Sequence, residues 1–269
     1  NLKVIDISIT PNRPDCLGVR GIARDLAASG SGKLKNIKSS QLIQKNKQKI
    51  SIKITKEKNQ GCTVFGSCLI VGVKNSESPD WLKEKIISLG QKPISAIVDI
   101  TNYVMLEYGQ PLHAFDYKEL TDHRIIVRPA KRGEVLTTLD NVRRKLSPPI
   151  LTIANSLKSI GLAGIMGGVT SEIKESTTDI LLESANFSGP NTRLSSTVLK
   201  LRTEASLRFE KGLRPELAEK ALRRATRLIS QFASGKVSNG IIDRTGPNIS
   251  SFAILILFET LVKIVGRTK

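Results

Sequence analysis

Aromatic residues are scarce, with Phe, Tyr and Trp making up 4% of the 269 residues. That argues against a platform of stacked rings for single-stranded nucleic acid, which needs an aromatic side chain under successive bases. Cysteine is also sparse. The three present, Cys16, Cys62 and Cys68, are odd in number and widely spaced. They outline neither a disulfide framework nor a metal site, which fits a reducing, cytoplasmic setting. Only two histidines occur, His113 and His123, too few for an ordinary zinc centre, and no HExxH or defensible Ser–His–Asp spacing is found. The longest apolar run, "FAILILF" at 252–258, falls far short of the roughly 20 residues that cross a bilayer. The opening "LKVIDISI" is strand-like and lacks the pattern of a secretory signal.

Positive charge, by contrast, is plentiful. Lys and Arg number 42 against 24 Asp and Glu, a net charge of +18. Such a field favours a polyanionic partner, nucleic acid before an anionic membrane. A lysine-rich composition accounts for the same number with no partner at all. The densest patch, residues 32–58, carries nine lysines against one acid and reads as a solvated linker and domain boundary as readily as a binding site. Hydrophobic content of 39% and charged content of 25% describe an ordinary globular chain, long enough for one or two domains.

Periodicity and turn signals predict the elements. Residues 2–9 read as a strand and "TPNRPDC" as a loop; a helix follows, with Asp15 as N-cap and Gly30 as its stop. Strands are expected at 49–55 and 62–73, the second bulged at Gly66. The helix at 78–90 is expected to start from Ser78 as N-cap and Pro79 at its first position. A helix at 94–109, apolar almost all round, should be buried. Gly109 ends it, Pro111 disfavours a helical Gln110, and His113 falls on the loop that leaves it. Short strands are predicted at 123–130, 134–140, 150–154, 159–168 and 179–187. Beyond 190 the character turns helical, notably at 214–235, and "TLVKIVGRTK" reads as the opening of a further helix. Strands in the middle with helices before and after make an α+β fold. The "AGIMGG" run (163–168) lacks the lysine and the setting of a phosphate loop; its glycines point to close backbone approach, to a strand or a ligand.

Three polar features stand in apolar surroundings. His113 sits among Leu112, Ala114 and Phe115. Glu183 follows Ile180, Leu181 and Leu182 in a strand that reads as buried, where a carboxylate needs a partner or a function. Arg202 or Arg208 could supply that partner. In "LRTEASLRFEKG" (201–212), the small residues Thr203, Ala205 and Ser206 suit a pocket wall. From these residues alone the reading is a basic α+β protein with a His/Glu pocket.

Five strings, "TPNRPDCLGVRGIARDLAA", "SPDWLKEKIISLGQKPISAIVDITNYVMLEYGQPLHAFD", "LAGIMGG", "LLESANF" and "TEASLRFEKG", closely resemble the beta chain of bacterial phenylalanine–tRNA ligase, in that family's order and spacing. The resemblance implies that 1–43 is the later part of a small first domain, 48–235 the editing region, and 246–269 the start of the next domain, cut short. It places amino-acid activation on the alpha chain, so ATP and Mg are expected for the whole enzyme and no cofactor on this stretch. Its partners would be phenylalanine tRNA and the alpha chain, in a heterotetramer of two alpha and two beta chains. The implied activity is hydrolysis of tyrosine wrongly esterified to that tRNA, a second sieve after synthesis. Glu183 matches the family's phenol-recognising carboxylate and His113 the histidine of the same pocket, a neutral imidazole suited to orienting the ester or the attacking water. Gly167, Thr203 and Ala205 match cavity-lining positions. Lys92 stands where the family often carries Arg, keeping the charge without the planar fork, and "TEAS" stands where "TDAS" is expected. The alternatives are a non-catalytic tRNA-docking or subunit-assembly module with a structural His/Glu pair, and a DNA-binding accessory, which lacks an obvious recognition helix.

Overall fold

The structure, a computed structural model, describes residues 4–35, 51–54 and 61–243. The expected linker falls largely outside the described residues, and the expected helix at 260–269 entirely so.

In chain order, α1 (Val19–Ala28) and β1 (Ser51–Ile54) precede the long β2 (Cys62–Val71). Two helices follow, α2 (Asp80–Ser88) and α3 (Ala96–Tyr108), then the short β3 (His113–Asp116). A run of strands comes next: β4 (Arg124–Pro129), β5 (Val135–Thr137), β6 (Arg143–Lys145), β7 (Leu151–Ala154), β8 (Ser159–Leu162) and β9 (Met166–Gly167). After β10 (Asp179–Phe187) the chain turns helical, with α4 (Gly189–Val198), α5 (Glu204–Phe209) and α6 (Glu216–Phe232), before β11 (Lys236–Asp243). The fold is α+β.

Two sheets organise the core. One has the order β11-β2-β10-β3, the other β1-β4-β7-β8-β9, and β5 and β6 form a hairpin. Side chains alternate across the first sheet. One set, Cys68, Ile70, Ile180, Leu182 and Ala114, packs against Leu82 and Ile86 of α2, Ile97 and Ile100 of α3, and Leu222 and Ile229 of α6. The other set, Phe65, Leu69, Leu181, Ala185 and Phe115, packs against Ile125, Val127, Ile153 and Ile160 of the second sheet. β10 therefore lies between two apolar layers and is buried on both faces, as its run of apolar residues predicts. At roughly 25 cal/mol per Å² of apolar surface removed from water, these two layers supply most of the drive to fold.

Some local expectations fail for identifiable reasons. Residues 4–9 form no strand, and Val4, Ile5 and Ile7 are exposed; among the described residues no strand receives their backbone, and a lone strand does not hold. Asp15 does not cap a helix. It sits in a 3-10 turn, Pro14–Cys16, bonded to Arg13 and Arg24, while α1 starts after Gly18. Ser78 does not cap α2, which starts after Pro79; its hydroxyl instead donates to the buried Asp99 of α3 at 2.6 Å. Gly66 pairs in register with Ser184, and the irregularities of β2 pairing fall near Asn186–Phe187 and Val237–Asn239 instead. α3 ends as expected at Gly109, whose φ of 76° is the left-handed value glycine adopts freely. His113, expected on a loop, is the first residue of β3: Pro111 keeps the chain from resuming the helix after Gly109, and β10 at once captures it.

Candidate functional site

The pairing register builds the site. Glu183 of β10 stands opposite His113 of β3 and opposite Ser67 of β2. Residues facing each other across antiparallel strands share a sheet face, so the three form one polar rung on the face turned to the second sheet. Above and below it lie Leu181, Phe115 and Leu69, and Ala185 and Phe65. Glu183 is 5% exposed, and among the described residues its buried Oε2 has no hydrogen-bond partner, nor has Nε2 of His113. The two arginines that could have held Glu183 are engaged elsewhere among the described residues, Arg202 with Glu210 at 2.8 Å and Arg208 with Glu204 at 2.6 Å. Burial raises Glu183 to a pKa of about 8, because the apolar surroundings disfavour the charged form. Burial lowers His113 to about 4 for the same reason. Near neutral pH the rung holds a protonated acid and a neutral imidazole, with no charge to compensate.

A cavity of about 80 Å³ opens at this rung. His113 and Glu183 line it from the first sheet, Ile153, Gly161 and Met166 from the second, and Phe187, Ala205 and Phe209 from β10 and α5. Phe187 and Phe209 meet edge to face with centroids 5.2 Å apart, and the His113 ring meets Phe115 similarly at 4.5 Å. Gly167 is the floor beneath the imidazole: a Cβ there would lie 2.5 Å from Cε1 and 2.6 Å from Nε2 of His113. The expectation of close approach in the "AGIMGG" run holds at this position.

His113, Gly167, Glu183 and Ala205 thus converge, while two other sequence-selected residues stand apart. Thr203 caps α5, accepting from Ser206 N and donating to Ile165 O at 2.9 Å. It holds in place the turn that presents Ala205. Lys92 is exposed between α2 and α3, outside the cavity wall. The apolar wall residues Ile153, Phe187 and Phe209 escaped the sequence reading, since nothing in an apolar residue type distinguishes a cavity wall from core. Ser67 escaped too; only strand pairing brings it to Glu183.

A larger recess, about 1330 Å³, lies between α1 and α6 and is rich in arginine. Much of that charge is paired: Arg13 bonds Asp15 and Asp25, and Arg224 bonds Glu107 at 2.8 Å. Among the described residues, the group with the spacing of cation ligands is Asp15, Cys16 and Asp25. Its carboxylates already hold Arg13 and Arg24, so it does not fit Mg. No helix among the described residues is long and apolar enough to cross a membrane.

The B3/4 domain family model matches residues 61–234, the stretch that contains both sheets' contributions to the cavity. The chain is 50% identical over 267 residues to the phenylalanine–tRNA ligase beta subunit of Dehalococcoides mccartyi, covering 98% of this chain and 32% of that protein. It is 47% identical over 253 residues to the protein of the same name from Clostridium acetobutylicum, covering 91% of this chain and 32% of that one. A solved N-terminal fragment of the phenylalanyl-tRNA synthetase beta-subunit from Pyrococcus horikoshii aligns with a TM-score of 0.49 and 14% identity, over 96% of this chain and 70% of that one. The chain spans about a third of the length of the curated relatives it matches. With a family model over most of its length and relatives of this one name, the chain belongs to the B3/4 domain family, in the form carried by phenylalanine–tRNA ligase beta subunits.

Proposed function

We propose that the cavity is an editing site that hydrolyses tyrosine wrongly esterified to phenylalanine tRNA. The observation that carries this reading is the unpartnered, buried carboxyl of Glu183 beside the unpartnered Nε2 of His113 in an apolar chamber. Tyrosine and phenylalanine differ by one hydroxyl, which an apolar synthetic pocket rejects weakly. A buried carboxyl that bonds the phenol discriminates strongly, because phenylalanine leaves it unsatisfied. In this reading Glu183 recognises the phenol, and the neutral His113 orients the ester or the water that attacks it. No covalent route is invoked; water attacks the ester carbonyl, and the tRNA's terminal hydroxyl leaves with the proton. Thr203 acts through Ala205, and Lys92 meets the tRNA outside the chamber. Residues 48–235 form the editing region. The whole protein works in the cytoplasm with an alpha chain, two of each in the assembly, and draws on ATP and Mg at the alpha chain's activation site.

The chamber's volume favours a second reading. About 80 Å³ is below the roughly 150 Å³ that accommodates benzene in an apolar protein cavity. As it stands the chamber suits a structural His/Glu pair in a tRNA-docking or assembly module. Editing requires the chamber to widen, and Met166 at its rim, half-buried and unbranched, is the side chain best able to yield. The test uses the complete two-chain enzyme with tyrosyl-charged phenylalanine tRNA. Deacylation well above background in wild type, lost in Glu183→Ala and in Ala205→Trp, is expected. Wild-type release at the background rate would leave the docking reading in its place.

A further inference from the structure

Ser67 occupies a position where an aliphatic side chain would be expected. It is fully buried on β2 between Phe65 and Leu69 on the face packed against the second sheet. Its Oγ has no hydrogen-bond partner among the described residues. It stands directly opposite Glu183, whose Oε2 is the other shielded and unpartnered oxygen of this rung. Facing residues on neighbouring antiparallel strands have Cβ atoms about 4.5–5.5 Å apart. From there, rotation of the serine hydroxyl about χ1 and a turn of the carboxyl about its last torsion are the movements that would pair the two oxygens. Two buried orphans facing each other are costly separately and satisfied together.

We propose that Ser67 is a positioning residue for Glu183: when a ligand fills the chamber, its hydroxyl donates to the carboxyl's inner oxygen, Oε2, and holds the outer oxygen toward the guest. This rests on the editing reading of the same chamber. Ser67 touches no substrate. It removes a torsional freedom the carboxyl would otherwise keep, and it stabilises the charged form by donating to it. Three consequences follow for a variant without the hydroxyl. Binding of the phenol weakens, the preference for tyrosyl over phenylalanyl ester narrows, and the ionisation of Glu183 moves to higher pH.

The experiment compares Ser67→Ala, Ser67→Cys and Glu183→Gln with wild type in the complete enzyme, measuring deacylation of tyrosyl- and phenylalanyl-charged tRNA against concentration and pH. Cysteine nearly preserves the volume and supplies only a weak donor, so it restores packing without the bond. The expected result is a KM for the tyrosyl ester raised about five- to tenfold in both Ser67 variants, with kcat within about twofold and the alkaline limb of the pH profile displaced upward. If Ser67→Cys matches wild type while only Ser67→Ala is impaired, the serine is a packing residue and the proposal falls. It also falls if both match wild type while Glu183→Gln is impaired, and the editing reading then survives. If Glu183→Gln itself edits normally, the editing reading fails, and this proposal with it.

Discussion

Glu183 and His113 face each other and depart from their ordinary titration in opposite directions, so each imposes its own pH dependence on stability. The unfolded chain loses the glutamate proton near 4.5, while the folded protein keeps it until about 8. Over that window the native state binds the extra proton, and stability falls as pH rises. The unfolded histidine gains its proton near 6.5, the folded one only near 4; over that window stability falls as pH drops. Denaturant unfolding at several pH values should therefore find Glu183→Gln gaining on wild type from acid to alkaline conditions, by a few kcal/mol in total. Parallel pH curves for the two proteins would contradict a buried, unpaired acid. At Gly167 the expectation is a separation of stability from activity. A methyl group there must push the His113 ring, the end of a side chain with some freedom, so Gly167→Ala should melt within a few degrees of wild type. Tyrosyl-ester hydrolysis should nevertheless fall about ten- to a hundredfold from the misplaced imidazole. An unchanged rate would mean that the ring's position is immaterial.

Among the elements, β4 and β8 are braced by one carboxylate. Glu134 accepts from both terminal nitrogens of Arg128 at 2.9 and 2.7 Å, from the hydroxyl and the N–H of Ser159 at 2.7 and 3.1 Å, and from Lys131 N at 2.8 Å. The Arg128 hydrogen bonds, with those from Ser159 behind them, hold its pKa down at about 2. Glu134→Gln should lose about 2 kcal/mol at neutral pH. That stability is present above the unfolded value of 4.5 and is lost as pH falls toward 2, so wild type and variant should converge in acid unfolding experiments. A gap that stays constant would point to packing instead. These elements differ in how far the sequence announced them. β10, α3 and α6 were legible, because each is long and its apolar pattern matches its observed packing. The N-caps were not, since Ser78 and Asp15 have the right type but spend their oxygens on Asp99 and on arginines. Half of the site was legible for a similar reason: a carboxylate or an imidazole among aliphatics is conspicuous, whereas Phe187 and Phe209 look like any core pair until the sheets are stacked.

For the whole molecule the open question is whether a net charge of +18 grips a phosphate backbone or merely solvates the surface. Release of counterions gives a direct answer. A chain that neutralises six or more phosphates should lose roughly a thousandfold or more in tRNA affinity between about 50 and about 200 mM salt. Gel mobility shifts at both salt levels would measure it, and a change under about tenfold would assign the charge to solvation. The architecture carries one more implication. Along β10, odd-numbered side chains meet one layer and even-numbered ones the other, so Leu182 and Glu183 belong to different cores although they are consecutive. Losing a single residue from the middle of that strand would reverse this order for everything beyond the lesion. A residue lost just ahead of Glu183 would thrust the acid among Ile97, Leu222 and Ile229 and set Ser184 in its place on the chamber face. Chemistry and folding are written on alternate letters of the same word, and a frame error in it spoils both messages at once.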